Sequence, residues 1–314
     1  DGVSGCENVD IVILYPLGRT SDVQRKQMTT VDAPNVHTVA VEGTFDDCQD
    51  LVKAMFNDVD FRQRNQLSAV NSINWARVMA QTVYYVTASE AFANPATFSV
   101  PTGNFGNVLA GWIAREMGAP IRDFIISSNT NDILTRFVND NDMSSRDVVP
   151  TVSPSMDIQV SSNFERLLFE MNGRDGGMTT EQLDRFRQVG SLDVEPDQRA
   201  AFIDGTFRAA AFDDEATLQE IARMRAETGM FVDPHTATGT AAARLFGGPS
   251  GPVGPMVTLA TAHPAKFPDA VEQATGMRPV LPAHLADLFD REERTQTVAN
   301  DLGTVQALVE SLTR

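Results

Sequence analysis

A short glycine-containing loop is the stretch whose residue types and spacing most clearly predict chemistry. A buried strand is predicted to end at Val100, and apolar residues at helical spacing follow from Leu109. Gly103 and Gly106 lie between these elements, where glycine allows a positive φ and a close approach of the backbone to a ligand. A helix that begins near Asn107 directs its free N–H groups and the positive end of its dipole into the loop. The pattern therefore favours a bound phosphate.

The side chains of this loop carry no positive charge. Neither lysine nor arginine occurs between Val100 and Leu109. A bound phosphate would therefore be neutralised by backbone donors, helped by the side-chain amides of Asn104 and Asn107. A strand-to-helix connection without any ligand has the same pattern, and the loop alone leaves both interpretations open.

Three polar residues near the start of a predicted helix over 71–91 are candidates for substrate binding: Ser72, Asn74 and Arg77. Positions 74 and 77 share one face of the helix, and an arginine there can hold a carboxylate or a phosphate with two parallel hydrogen bonds. An ordinary helix start followed by a surface arginine explains the same residues, and both interpretations stay open. The residues of this helix that are expected to face the core are Trp75, Val78, Met79, Thr82 and Val83.

Other polar motifs are assigned structural roles. His235 and His263 lie next to prolines and are not spaced as a metal-binding pair, so no zinc site is expected. Asp233 can orient His235 or cap the helix that follows, and the cap is favoured. Ser162 and Glu165 are expected to form a capping box before an apolar helix.

Composition excludes several classes of function. The chain has 314 residues and a formal net charge of −17, which argues against binding to nucleic acid or to an anionic membrane surface. No apolar run reaches the length of about 18 residues that a membrane span needs, and no signal peptide is visible. Cys6 and Cys48 are too few for a disulfide framework, so a reduced, cytoplasmic setting is expected.

The order of elements predicts an open α/β sheet. β-Branched and apolar runs over 9–15, 36–41, 98–100 and 123–127 alternate with helical patterns, which indicates βαβ units with right-handed crossovers. The ligand site of such a sheet lies at the carboxyl ends of its strands, where the glycine loop is found. The segment over 139–205 is more polar and is predicted to be a helical insertion.

The loop sequence Pro-Thr-Gly-Asn-Phe-Gly-Asn resembles the cofactor-phosphate loop of threonine synthase, an enzyme family that depends on pyridoxal phosphate (PLP). Further stretches resemble the same family in the same order, over nearly the whole chain. They are 71–77 (NSINWAR), 153–158 (SPSMDI), 162–168 (SNFERLL), 233–237 (DPHTA) and 261–267 (TAHPAKF).

The resemblance implies the type II PLP-dependent fold, similar to tryptophan synthase β: an α/β fold of mostly parallel sheets flanked by helices, with a helical insertion. Residues 1–65 would be the remainder of a smaller α/β domain, and 66–314 a larger PLP-binding domain. The cofactor-binding residues implied are Gly103, Asn104, Phe105, Gly106, Asn107 and Thr261. The hydroxyl of Thr261 would face the pyridine nitrogen, and a strand-end threonine bonded to backbone is the alternative. The substrate-binding candidates remain Ser72, Asn74 and Arg77.

The imine-forming lysine of the family has no counterpart here. The lysines are Lys26, Lys53 and Lys266. The family does not use the position of Lys266 for the imine, and Lys26 and Lys53 lie on faces of predicted helices that are expected to be exposed. That lysine is therefore expected upstream of Asp1, and the chain as given is expected to be an incomplete enzyme without a catalytic residue of its own.

The activity implied is conversion of O-phospho-L-homoserine and water to L-threonine and phosphate, a carbon–oxygen lyase reaction on a small-molecule substrate. Another type II PLP lyase, such as a dehydratase, and a non-catalytic phosphate- or nucleotide-binding module are the alternatives. The protein is expected to be a cytoplasmic monomer or homodimer that binds neither nucleic acid nor membrane.

Overall fold

The structure is a computed structural model that describes residues 2–70, 72, 74–247 and 254–313. The strands are β1 (Ile11–Pro16), β2 (Val36–Glu42), β3 (Ala96–Pro101), β4 (Ile121–Ser128), β5 (Met143–Ser144), β6 (Ser191–Leu192), β7 (Phe207–Ala211), β8 (Met256–Thr258) and β9 (Gln296–Ala299). The α-helices are α1 (Asp22–Thr29), α2 (Phe45–Asn57), α3 (Val59–Arg64), α4 (Trp75–Ser89), α5 (Gly106–Glu116), α6 (Ile133–Asp140), α7 (Phe164–Met171), α8 (Gly176–Val189), α9 (Pro196–Phe202), α10 (Asp214–Thr228), α11 (Pro234–Phe246), α12 (Pro268–Thr275) and α13 (Leu302–Leu312). The chain divides into two compact units, Asp1–Ser68 with Val280–Arg314 and Ala69–Pro279.

The first unit is built on a parallel three-stranded sheet in the order β1-β2-β9. Helix α2 begins with a capping box of Thr44 and Asp47, in which the side chain of each residue accepts the backbone N–H of the other. The apolar face of α2 forms a core with the apolar face of α13. That core contains Val41, Cys48, Leu51, Met55, Phe61, Val305 and Val309.

The C-terminal segment belongs to a different unit from the one that the sequence predicted. Residues 280–314 were expected in the larger domain, but they belong to the first unit. Strand β9 extends the ladder of β2, with Val39 opposite Gln296, and α13 supplies two residues of the core. A strand of four residues that pairs with a strand about 250 residues earlier gives no local signal, so the sequence pattern did not predict β9.

One carboxylate in the first unit lies among several donors. Glu293 accepts hydrogen bonds from the guanidinium of Arg25 and, at 2.8 Å, from the hydroxyl of Thr29, and its other oxygen lies 3.3 Å from the ammonium of Lys26. These contacts, that of Arg25 above all, lower the pKa of Glu293 from 4.5 to about 2. A carboxylate whose pKa falls on folding stabilises the folded state above its unfolded pKa, and that contribution is lost as the pH falls towards 2.

The variant Glu293→Gln is therefore expected to be less stable than the parent chain by about 1 kcal/mol at pH 7, after solvent screening of the ion pair. The difference should shrink between pH 4.5 and pH 2. Amide hydrogen exchange of α1 measures it. The exposed neighbour Glu292 provides the control Glu292→Gln, which should match the parent at both pH values. A gap for Glu293→Gln that stays constant with pH would contradict the assignment.

The second unit is built on a parallel four-stranded sheet in the order β7-β4-β3-β8. All six residues of β3 are buried, as expected for a central strand covered on both faces. The chain proceeds from β3 to β4 on one side, whereas β8 lies on the other side of β3. Strand order therefore reverses at β3, and the carboxyl ends of β3 and β8 flank the position where open α/β sheets bind their ligands.

The buried face of helix α4 differs from the one expected. Val78, Tyr85 and Ser89 are buried. Trp75, Met79 and Val83, expected to face the core, are 49%, 51% and 63% exposed. Thus the expectation holds for Val78 and is wrong for these three. Apolar residues occupy two stripes of α4, so periodicity could not select the buried one.

The residues between α6 and β7 contain α7, α8 and α9 and an antiparallel ribbon of β5 and β6, which matches the predicted helical insertion. Over the described ranges, no helix combines the length and the apolar character that crossing a bilayer demands.

Candidate functional site

The loop that follows β3 has the predicted position, with one difference in its backbone. Helix α5 begins at Gly106, one residue before the expected start. The left-handed conformation falls on Phe105, with φ of 60°, and the glycines of the loop keep negative φ values. The expectation that Gly103 and Gly106 supply the positive φ is therefore wrong.

Both glycines are closely packed against later parts of the chain. A Cβ atom on Gly103 would lie 3.1 Å from Met156 Cα and 3.2 Å from the carbonyl oxygen of Ser155. A Cβ atom on Gly106 would lie 3.1 Å from Asn163 Nδ2. The loop therefore lies directly against two later segments of the chain, and a side chain at either position would force a small shift of the loop or of the atoms next to it.

The N–H groups of residues 103–108 donate to no acceptor within the described part of the chain. The carbonyls on the same stretch are bonded: Ser161 Oγ donates to the oxygen of Gly103 at 2.9 Å, and Asn163 donates to the oxygen of Asn104. Free amides at the start of an eleven-residue helix form a concentrated set of donors for an anion. Unpaired amides at a helix start are the kind of donors that bind phosphate groups in proteins.

Asn163 is a residue that the sequence analysis missed. Its backbone N–H and its Nδ2 both donate to the carbonyl oxygen of Asn104, at 3.1 and 3.0 Å, and Nδ2 also donates to that of Ser72 at 2.9 Å. The side chain is fully buried. Asn163 therefore fastens the loop to the segment before α4.

The expected capping box of Ser162 and Glu165 is wrong. Helix α7 begins at Phe164 and has no side-chain cap. Ser162 Oγ instead donates to Asn104 Oδ1 at 3.2 Å. Residues of the Ser-Asn-Phe-Glu motif thus bind the glycine loop. The resemblance of this motif to the family was the feature of the sequence that could have identified Asn163.

The side chain of Asn107 is held by two tyrosines. Its Oδ1 accepts hydrogen bonds from the hydroxyls of Tyr84 at 2.6 Å and Tyr85 at 2.8 Å. Burial raises the pKa of Tyr85 well above its ordinary value and that of Tyr84 to about 12, although Tyr84 remains 36% exposed. Both hydroxyls therefore stay protonated donors at neutral pH. With Oδ1 occupied in this way, the amide N–H groups of Asn107 are left for a ligand.

The three substrate candidates have different environments. The carbonyl oxygen of Ser72 accepts a hydrogen bond from Asn163 Nδ2 beside the loop. Asn74 is the N-cap of α4: its Oδ1 accepts the N–H of Ala76 at 2.8 Å, and its Nδ2 donates to the oxygen of Ala69. Arg77 is exposed, and its guanidinium contacts no acceptor among the described residues. Two other residues of this motif, Asn71 and Ile73, lie outside the described ranges.

Thr261 follows β8, the strand beside β3. Thr258 pairs with Ser99, and the N–H of Leu259 donates to the oxygen of Ser99 at 3.0 Å. Neighbouring strands lie about 4.8 Å apart, so Thr261 and the glycine loop leave the sheet side by side. The backbone N–H of Thr261 donates to Thr236 Oγ1 at 3.0 Å, and its exposed hydroxyl bonds no group in the described parts of the chain.

The two histidines of the sequence motifs, His235 and His263, have structural partners. His235 is buried between Asp233 and the backbone of Ser155, and His263 Nδ1 accepts the N–H of Ala265 at 3.2 Å. Asp233 both caps α11 and contacts the ring of His235, so the two roles considered from the sequence coexist. In the ranges that the structure describes, no cluster of three or more His, Cys, Asp or Glu side chains is arranged to hold a metal ion.

The arrangement suits a ligand with a phosphate group and a flat polar ring. The amides of the loop would bind the phosphate, and one strand away a free hydroxyl would face the ring. The side-chain amides of Asn104 and Asn107, which belong to the loop itself, add further donors at the same edge of the sheet.

Comparisons with known proteins agree with this description. A family model described as threonine synthase, C-terminal, matches residues 236–309. A threonine synthase of Pseudomonas aeruginosa is 51% identical over 313 residues, which cover 98% of this chain and 66% of that protein. A PLP-bound threonine synthase structure from Brucella melitensis has a TM-score of 0.93 at 46% identity and covers 99% of this chain and 67% of that one. Yeast threonine synthase has a TM-score of 0.90 at 37% identity, covering 99% and 66%.

The chain spans about two thirds of the length of these relatives. Their structures share its architecture over 99% of its residues, so the expected type II PLP-dependent fold is confirmed. The chain belongs to the threonine synthase family.

Proposed function

We propose that this chain forms the cofactor-binding part of a PLP-dependent threonine synthase, which converts O-phospho-L-homoserine and water to L-threonine and phosphate. The observation that carries the proposal is the run of unbonded N–H groups over 103–108, next to the free hydroxyl of Thr261. When bound, PLP supplies an electron sink that stabilises negative charge at carbons of the substrate.

The residues of the loop have a binding role in this proposal. The amides of Gly103, Asn104, Phe105, Gly106 and Asn107 hold the phosphate of the cofactor by charge-assisted hydrogen bonds. These donors are neutral, and they act in a protein whose formal net charge is −17. The anion is therefore held by local geometry against an unfavourable overall field.

Thr261 faces the ring nitrogen of the cofactor in this proposal. A hydroxyl is neutral and can donate or accept one hydrogen bond there. It orients the ring, and it holds a proton on the nitrogen less strongly than a carboxylate would.

The substrate side of the site is assigned to the start of α4. Arg77, exposed and without a described acceptor, binds the carboxylate or the phosphate of the substrate. Asn74 fixes the first turn of the helix that carries Arg77, and Ser72 lies where Asn163 ties this segment to the loop. The enzyme is proposed to be a cytoplasmic monomer or homodimer.

Binding of ligands that differ by one group tests the proposal. Pyridoxal phosphate is expected to bind the 314-residue chain about 30-fold more tightly than pyridoxal, because only the phosphate reaches the free amides. Equilibrium dialysis measures both affinities, and inorganic phosphate should compete with pyridoxal phosphate. Equal affinity for pyridoxal and pyridoxal phosphate, or tighter binding of a nucleotide than of pyridoxal phosphate, would overturn it.

A further inference from the structure

Asp233 is a buried carboxylate at the centre of a hydrogen-bond network behind the candidate site. It is 0% exposed, and both of its oxygens are occupied. Oδ1 accepts the backbone N–H of His235 at 3.0 Å and lies 2.9 Å from its ring Nδ1. Oδ2 accepts the backbone N–H of Thr236 at 3.4 Å and its hydroxyl. Four donors and the N-terminus of α11 offset the cost of burying the charge.

The first arm of the network runs through His235 to the loop. Nε2 of His235 accepts the backbone N–H of Ser155 at 3.1 Å, so the ring proton lies on Nδ1 and points to Asp233. The next atoms along the chain, the carbonyl of Ser155 and Cα of Met156, are those that lie against Gly103. A chain of contacts through one imidazole therefore links Asp233 to the backbone that supports the glycine loop.

The second arm runs through Thr236 to the other side of the site. The hydroxyl of Thr236 donates to Asp233, which leaves its lone pairs to accept the backbone N–H of Thr261 at 3.0 Å. Bonds in such a chain polarise and strengthen one another. The position of Thr261 thus depends on the same carboxylate as the position of the loop.

We propose that Asp233 is the positioning residue that sets the spacing between the amides of the glycine loop and the hydroxyl of Thr261. The inference rests on the proposed function, since that spacing matters for a ligand that contacts both sides. Asp233 contacts no ligand itself. It acts through His235 on the phosphate side and through Thr236 on the ring side.

The two arms are separable by substitution. Thr236→Val removes a hydroxyl at nearly constant volume and cuts the arm to Thr261. It is expected to weaken the binding of pyridoxal phosphate about tenfold and to leave that of inorganic phosphate within about twofold. His235→Phe keeps a flat ring beside Phe267 but cuts the arm to Ser155, and it should weaken both ligands about tenfold. Asp233→Asn should weaken both.

Thr236→Ser is the matched control, because it keeps the hydroxyl and removes only a methyl group. It should bind both ligands as the parent does. If Thr236→Ser and Thr236→Val lower pyridoxal phosphate affinity equally, the effect is one of packing and the proposal is overturned. An equal loss of inorganic phosphate affinity in Thr236→Val would also overturn it.

Amide hydrogen exchange on the ligand-free chain tests the network without any cofactor. Exchange should accelerate at 259–263 in Thr236→Val, at 153–157 in His235→Phe, and at both in Asp233→Asn. Unchanged exchange at either segment in Asp233→Asn overturns the proposed positioning. If the parent chain binds neither pyridoxal phosphate nor phosphate, the proposed function fails, and the exchange pattern still decides whether Asp233 fastens both segments.

Discussion

Replacing Gly111 with alanine is expected to lower the free energy of unfolding of the second unit by about 3 kcal/mol. A Cβ atom at this position would lie 2.6 Å from Phe124 Cε1 and 2.7 Å from Tyr85 Cε1 and Cζ. Both rings are fully buried, and the hydroxyl of Tyr85 is bonded to Asn107, so neither ring can move without a further loss. Helices α4 and α5 therefore approach closely only because position 111 has no side chain.

Urea unfolding followed by tryptophan fluorescence measures this effect in the second unit alone. The chain has two tryptophans, Trp75 and Trp112, and both lie in that unit. Gly176→Ala is the control: this glycine is the first residue of α8, and nothing lies within 4 Å of its added Cβ. It should stabilise the unit slightly, by at most about 1 kcal/mol. If both variants shift the midpoint in the same direction by similar amounts, the steric argument for Gly111 is incorrect.

The substitution at Gly111 should also reach the candidate site. Displacement of Tyr85 removes one of the two hydroxyls that hold the Asn107 side chain. Stability and ligand binding are thus coupled through a single tyrosine, whose ring packs in the core and whose hydroxyl bonds a residue of the loop.

The features predicted correctly from the sequence are those with local causes. The buried strand β3, for example, is predicted by a short apolar run. The loop between β3 and α5 was placed to within one residue, because glycine spacing and the helical stripe after it are both local signals. Sequence resemblance supplied the family, which local patterns could not.

The features that were missed depend on distant residues. Asn163 donates a hydrogen bond to Asn104, which lies 59 positions earlier, and no sequence pattern near either residue predicts that contact. Glycine is the residue that usually adopts a positive φ, so the sequence predicts that conformation at Gly103 and Gly106. In the structure Phe105 adopts it, and the two glycines instead allow close packing against 155–156 and Asn163. The buried face of α4 was misjudged for a related reason, since the small residue that admits Tyr85 belongs to another helix.

Replacing Asn163 with aspartate is expected to lower the affinity for inorganic phosphate and for pyridoxal phosphate about 100-fold. The variant has the same shape, but a carboxylate oxygen replaces the Nδ2 that donates to the carbonyls of Asn104 and Ser72. Oxygen then faces oxygen at hydrogen-bond distance inside the protein, and a negative charge is added beside the anion-binding amides. Arg166 remains next to the other side-chain oxygen and limits the cost to folding.

Equilibrium dialysis of both ligands against Asn163→Asp and Asn172→Asp separates geometry from charge. Asn172 is the C-cap of α7, and its Nδ2 donates to the hydroxyl of Thr179 and to the amide oxygen of Gln182. The amide of Gln182 can rotate to donate to a carboxylate, and the hydroxyl of Thr179 can do so by releasing the carbonyl of Asp175. Asn172→Asp therefore adds the same net charge without forcing acceptors together. It should retain ligand affinity within about twofold, because screening weakens a distant surface charge. Comparable losses in both variants would mean that net charge governs binding, whereas a loss confined to Asn163→Asp shows that the loop binds anions only while its carbonyls are held away from the ligand.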